Sequence, residues 1–551
     1  MKSTGLLFLF TGLILFGCEN GDDLHALRTE LTLAEIKLAL ATSKNDNNLI
    51  TKIDSDNQIT TIHFETGAPI VMQTHWIQAT VYDSANWLAT FQLRDGSDQW
   101  ANFVGELDFD EDDIVLNPYL TSPLTALADI ETPVNGKFKV FIKGKSPKGV
   151  TVEKSFDYFG DEHELPVLGL YEDYANQVEF VFMNIDNKVR CSKIVVLRTA
   201  PVENKPPLEI EVFNNQLSEA YTGLYVISNL RVGFDQTGET RWYYNLRGMF
   251  FDKLTNGNFI VGDPSSQSFS EVTMLGQLVK RYEVPNALHH EIFEMPAGNF
   301  LVASHSPPGA PFEDVVVEIS RVSGQVIKSW DFNTILDPSR RTLPNTQSGD
   351  WLHINALYYD ESDNSIVISG RSQCAVVKID YATSAIKWIL SNHNYWDPPF
   401  TSFLLKPVNS QGNEMDISDI DFWSYGQHAI HRLPNANLLL YDNGDYRGFY
   451  DNPNVPQNSY TRIAEYKINE QQMTVELVWH FDHNRDVFTK FTGYTQDLED
   501  TRLAAYMFAS ENTPKIVEVN TNNQVVYEAT INRGKASYYR TLKLDVYSGL
   551  D

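Results

Sequence analysis

The sequence predicts an all-β protein, a six-bladed β-propeller preceded by a β-sandwich domain, and three observations predict it. Beyond Pro206-Pro207 a hairpin signature recurs six times, two apolar strands flanking a polar turn, with second strands through Trp242, Tyr282, Trp330, Trp388, Trp479 and Tyr527. Other strands between the copies end in one kind of turn, Leu254-Thr255-Asn256-Gly257-Asn258-Phe259, echoed from Met295 to Phe300 and from Leu433 to Leu438. Four strands repeated six times make a propeller. Upstream, alternating apolar and polar runs such as Lys137 to Lys143 and Gln177 to Met183 suit half-buried strands of a sandwich.

In chain order, residues 1–17 read as a lipoprotein signal peptide: a positive charge at Lys2, an apolar run from Leu6 to Phe16, then Gly17 before Cys18. Leu15-Phe16-Gly17-Cys18 resembles a bacterial lipobox, in which Cys18 becomes the lipid-modified first residue. The expectation is an exported bacterial lipoprotein, at the outer membrane on its periplasmic face or the cell surface. Residues 18–75 read as a lipid-anchored tether, with a short helix from about Asp22 to Thr42 and a hairpin between Ile50 and Met72. The sandwich is expected over 76–200, a linker at Pro201 and Pro206-Pro207, and the catalytic propeller over 208–551. Long inserts interrupt its repeats at Pro307 to Ser348 and Asn392 to Tyr425, and long loops on a rigid ring carry function.

Composition narrows the partners. A net charge of -29 argues against nucleic acid or an anionic membrane surface, so an anionic substrate must meet a local cluster of positive groups. Membrane attachment is expected only through the anchor. Beyond Cys18 only Cys191 and Cys374 remain, far apart in sequence, so a core rather than a disulfide framework holds the fold; Cys374 reads as a packed small residue. The acidic run Asp108 to Asp113 lacks the glycine-containing calcium-loop pattern and reads as solvated surface. Gln411 to Asp421 is similar, though its place before His428 makes it a candidate substrate rim. No Gly-x-Ser-x-Gly elbow, phosphate loop or His-Glu-x-x-His motif occurs.

The chemistry gathers at three histidines. Aligning repeats on the shared turn places Met249, His290 and His428 in one register, and His353 joins them if its turn is longer. Equivalent residues on first strands converge on the channel. Asn355 lies two residues beyond His353 on the same face, and Arg371 follows in Ser369-Gly370-Arg371. A neutral imidazole attacks an electrophilic centre, while a guanidinium and a second imidazole hold a tetrahedral oxyanion, which suits sulfuryl or phosphoryl transfer. Three converging histidines also suit zinc, but the fixed charge of Arg371 disfavours a cation beside it. Neither a metal nor a cofactor is expected. His289, one residue from His290, alternates away from the channel.

These residues resemble the bacterial aryl-sulfate sulfotransferases that work without a nucleotide sulfate donor. The resemblance runs from about Leu116 to the end, through Asn117-Pro118-Tyr119, Ser122-Pro123-Leu124 and Leu165 to Tyr171, then His289-His290-Glu291, Asp350 to Asn355, Ser369-Gly370-Arg371 and Gly426-Gln427-His428-Ala429. It implies a ping-pong reaction moving a sulfuryl group from an aryl sulfate to a phenolic acceptor, with His428 as the nucleophile that forms a sulfohistidine. It implies that His290, His353, Asn355 and Arg371 surround the sulfuryl group. Thr495, Tyr539 and Arg540 are further candidates for substrate binding. Cys191 and Cys374 do not match the propeller disulfide of enterobacterial members. The competing expectation is a non-catalytic surface propeller that binds a ligand or partner.

Overall fold

The computed structural model describes residues 31–550, except 147–148, 219, 264–265, 307–313, 341, 344–348, 449–458, 509–512 and 532–537. The expected signal peptide and Cys18 lie outside the described residues. The chain divides into two compact units, 1–106 with 133–135, and 107–132 with 136–551.

In the first unit a helix, Leu33–Asn45, begins at a capping box: the Glu35 amide donates to Thr32 Oγ1 and the Thr32 amide to Glu35 Oε2. A three-stranded sheet follows, Ile50–Ser55, Ile59–Phe64 and Ile70–Gln73, then a second, Ile77–Asp83, Leu88–Leu93 and Asp98–Asn102. The expected boundary at Trp76 therefore moves to Glu106. The physical reason is a shared core, because Phe91, Leu93 and Ala101 of the second sheet pack with Ile36 and Leu40 of the helix and Ile62 and Met72 of the first sheet. The described part of what reads in sequence as a tether, residues 31–75, belongs to a small folded unit.

The second unit opens with the sandwich region. Its longest strand, Thr125–Ile142, serves two faces: its first half pairs with Ile114–Leu116 and Gly160–Leu168, its second with Val152–Ser155 and Ala175–Met183. The strand changes partners across Gly136, where a Cβ would stand 2.2 Å from the Phe182 ring, so only glycine admits that approach. Val189–Arg198 completes the sheet beside Ala175–Met183. The acidic run is exposed, with Asp110 capping the 3-10 turn Glu111–Asp113.

Among the described residues six sheets then follow, the blades of the propeller, antiparallel except where the short strand Lys406–Pro407 runs parallel to Thr474–Phe481. Their outer strands carry Trp242, Tyr282, Trp330, Trp388, Trp479 and Tyr527, the aromatic residues that mark the repeat in sequence. The ring closes twice. Ile210–Asn215 joins the last blade by pairing with Val525–Ile531, and the carboxyl-terminal strand Thr541–Leu544 becomes the inner strand of the first blade by pairing with Leu224–Ile227. Closure ties both ends of the propeller into its sheets.

Inner strands position the site, and their irregularities aim it. Between the pairs His428↔Tyr441 and His431↔Leu439 the inner strand has one residue more than its neighbour, a β-bulge. Bulges also interrupt Leu288–Glu294 at His289 to Glu291 and Ile354–Asp360 at Asn355. An extra residue twists the strand and turns a side chain that alternation would send elsewhere. His353 precedes its strand with φ 57, and Ala429 follows His428 with φ 48, both in the left-handed region costly for non-glycine residues.

Candidate active site

His428 is buried, and its ring has one orientation with both ends accounted for. Nδ1 lies 2.7 Å from Asn443 Oδ1 and 3.1 Å from the Gly426 carbonyl, both acceptors, so Nδ1 carries the proton. The Asn443 amide is itself fixed, since its Nδ2 donates to the carbonyls of Thr489 and Thr492 at 2.8 Å each. Nε2 is thereby left with its lone pair. Burial, and next the Arg371 charge, hold the His428 pKa well below the ordinary histidine value, so the ring is neutral at neutral pH.

The segment that presents His428 hangs on one buried carboxylate. Asp442 Oδ1 accepts from the amides of Tyr425 and Gly444, and Oδ2 from Arg447 and Arg462. The residues before His428 and the residues around Asn443 thus share one anchor. Cys374 supports it as packing, its Sγ accepting from the Gly426 amide, with burial pushing the thiol up to about 12.

The other two histidines line, with His428, a cavity of about 440 Å³. His353 Nδ1 lies 2.8 Å from Asp350 Oδ2, and its Nε2 lies 2.8 Å from His290 Nε2. Two nitrogens on one tetrahedral zinc would stand roughly 3.3 Å apart with ~2.0 Å bonds, so this separation is that of a shared hydrogen. Among the described residues no group of three or more histidine, cysteine or carboxylate side chains is arranged to hold a metal. Tyr539 stacks on His290 with ring centroids 5.5 Å apart and planes at 15°.

Positive charge enters the cavity through Arg371 and Lys490, the local cluster that an anionic substrate needs on a chain so acidic. Arg371 Nη2 donates to Asp445 Oδ2 at 3.2 Å, while its buried Nε has no hydrogen-bond acceptor among the described residues. Burial pushes the Asp445 carboxyl up, against the pull of Arg371 and Lys490. Tyr446, Phe491 and Tyr539 add aromatic walls at the same cavity.

The profile of the family described as Arylsulfotransferase (ASST) matches residues 209–540, and that of an arylsulfotransferase Ig-like domain matches 113–200. The chain belongs to the arylsulfotransferase family. Among its relatives is the arylsulfate sulfotransferase AssT of Escherichia coli O6:H1, 28% identical over 488 residues that cover 68% of this chain and 80% of the relative. AssT of Lelliottia amnigena is 27% identical over 501 residues, covering 70% and 83%. Among solved structures, a protein of unknown function from Bacteroides caccae superposes with a TM-score of 0.31 at 11% identity over 74% of this chain and 98% of that one, a likeness from which nothing is drawn.

Within this arylsulfotransferase the sequence-derived candidates separate into two groups. His290, His353, Arg371, His428 and Tyr539 line the cavity. Asn355 stands behind it, its Nδ2 donating to the Gln427 carbonyl at 2.8 Å, which braces the peptide before His428. Arg540 lies beneath His290, donating to its carbonyl and pairing with Glu291 at 2.9 Å. Thr495 is buried within Tyr494–Asp497, and Thr492, three residues earlier, takes the place at the cavity. His289 turns away, its Nε2 against the Ser304 carbonyl.

No residue from Asn392 to Tyr425 is among those lining the cavity. Trp423 is fully buried, and the Phe422 and Trp423 carbonyls accept from Tyr466 and Arg447. Sequence reasoning did not single out Asn443, Asp445, Tyr446, Lys490 or Thr492. Asp350 alone carried a signal, three residues before His353 in the motif already read.

Proposed function

We propose that this protein is an aryl-sulfate sulfotransferase acting by a ping-pong mechanism, with His428 carrying the sulfuryl group between a phenolic sulfate ester and a phenolic acceptor. The observation that carries this reading is the tautomer of His428. Asn443 and the Gly426 carbonyl hold the proton on Nδ1, so a neutral Nε2 lone pair is available for in-line attack on sulfur.

In the first half-reaction Nε2 bonds to sulfur as the S–O bond to the aryl oxygen breaks, and a phenol leaves. In the second half the acceptor oxygen bonds to the same sulfur, and the N–S bond returns its electron pair to Nε2. Arg371, which lines the cavity, supplies charge to the sulfuryl oxygens, and a fixed charge already in place where negative charge develops stabilises the transition state. The aromatic walls suit the flat ring of either phenol.

The test is mass spectrometry of the peptide containing His428 after donor alone is added. A gain of one SO3 on His428, lost when a phenol follows, is the expected result. Unchanged transfer by His428→Ala would sink the assignment, and equal release of free sulfate with or without acceptor would make the reaction hydrolysis.

We further propose export as a lipoprotein anchored through Cys18 at the outer membrane, a reading supported by the charge, apolar run and Leu15-Phe16-Gly17-Cys18 order. Labelling of cells with a fatty acid should mark the wild type and not Cys18→Ser.

A further inference from the structure

A ping-pong transfer between two phenols has a proton to account for, and His428 cannot hold it. Its Nδ1 hydrogen is committed to Asn443, and its Nε2 receives the sulfuryl group. The departing phenoxide nevertheless needs a proton, and the acceptor phenol must lose one. The two remaining imidazoles line the same cavity, and they are coupled through Nε2 to Nε2 at 2.8 Å. One side of this pair is tied to a carboxylate, His353 Nδ1 standing 2.8 Å from Asp350 Oδ2. Asp350 therefore keeps the His353 hydrogen on Nδ1 and aims Nε2 at His290 and the cavity.

We propose that Asp350 is a positioning residue for proton transfer, holding the His290–His353 pair so that one hydrogen shared between their Nε2 atoms passes to the leaving phenoxide and is regained from the acceptor phenol. The proposal rests on the sulfotransferase reading above. In the first half-reaction the pair begins with three ring hydrogens and one positive charge, stabilised by the Asp350 carboxylate. As the S–O bond breaks, the shared hydrogen moves to the aryl oxygen, leaving two neutral rings with hydrogens on Nδ1. In the second half the acceptor O–H gives its hydrogen back to the Nε2 pair as its oxygen bonds to sulfur. No proton is gained or lost over the cycle, and no further reactant is required. Asp350 also lines the cavity, and its part in this scheme is played through His353, to which its Oδ2 is bound.

Asp350→Asn is the discriminating variant, because the amide oxygen still accepts from His353 Nδ1 while the charge is gone. The experiment measures the rate of His428 sulfation by a series of aryl sulfates, from nitrophenyl sulfates to phenyl sulfate, whose phenol has a pKa near that of tyrosine, about 10. A good leaving group departs without a proton, so the loss should be less than about tenfold for nitrophenyl donors and rise to about a hundredfold for phenyl sulfate. A merely structural role predicts an equal loss for every donor. An equal loss, or none, would overturn the proposal. The same measurement separates it from the underlying reading: wild type that forms no adduct on His428 refutes the carrier, whereas adduct formation with an unchanged dependence on leaving group refutes Asp350 alone.

Discussion

Asn443→Asp tests the electrostatic design of the nucleophile directly. The substitution puts a carboxylate where an amide oxygen stands 2.7 Å from His428 Nδ1, and a neighbouring opposite charge favours the charged imidazole. An opposite charge at short range moves a pKa by about 1–3 units, equivalent to ~1.4–4 kcal/mol in favour of the protonated ring. In the wild type, burial and Arg371 hold His428 well below the ordinary value, so the ring remains neutral as the medium becomes mildly acidic. A protonated ring has no lone pair on Nε2, so activity falls tenfold per pH unit below the operative pKa. The acid limb of the sulfation rate should therefore move to higher pH by about 1–3 units in Asn443→Asp. The assay is rapid quench and mass spectrometry of the His428 adduct across neutral and mildly acidic pH, with donor alone. The same change removes the donor to the Thr489 and Thr492 carbonyls, at a cost of about 1–3 kcal/mol for each buried group left unmet, so thermal stability should also fall. An acid limb at the same pH in both folded proteins would refute the tautomer argument and the electrostatic reading of His428 together.

Three further outcomes follow from the same structure. Arg371→Lys replaces a fork by a point charge and should lower kcat by about 10²–10³, with a smaller change in KM, measured with one aryl sulfate at saturating acceptor. Arg540→Met leaves Glu291 enclosed without its partner, so the thermal midpoint should drop by an amount corresponding to about 3–5 kcal/mol, and the double change with Glu291→Gln should recover much of it; full stability of the single variant would contradict the pair's role. His431 is held down to about 4 by burial, so the folded state refuses a proton that the unfolded chain takes at about 6.5. Its contribution to stability is complete above that value and is lost as pH falls toward 4, and His431→Gln should flatten the decline of the thermal midpoint across that window.

Much of the fold was legible because repetition is a one-dimensional signal. The six outer-strand aromatic residues recur along the chain, and all but the half-buried Trp479 are buried in their blades wherever the axis lies. His428, His290 and His353 were legible for the same reason, as they stand at related points of repeated strands. Asn443, Asp445 and Lys490 were not. They lie on other strands and loops and carry no shared register: Asn443 reaches His428 from just beyond the neighbouring strand of the same blade, Asp445 reaches Arg371 from the blade after it, and Lys490 lies in the connection that follows. Asn355 was legible as a site residue but not in its role, because a bulge at that position turns its amide onto the Gln427 carbonyl. The boundary at Trp76 failed for a related reason: alternating strands look alike in sequence, and only their shared core with Ile36 and Leu40 assigns them to the first unit.

By itself the sequence determined the β-propeller, the family's motifs and the identity of the three histidines, since periodicity and local motifs survive without knowledge of contacts. Only the tertiary structure decided which nitrogen of His428 is free, that His290 and His353 share a hydrogen, and that Asp350 holds His353 Nδ1. A proton's place is set by the acceptors within hydrogen-bond reach, and those acceptors come from residues up to 63 positions apart in the chain.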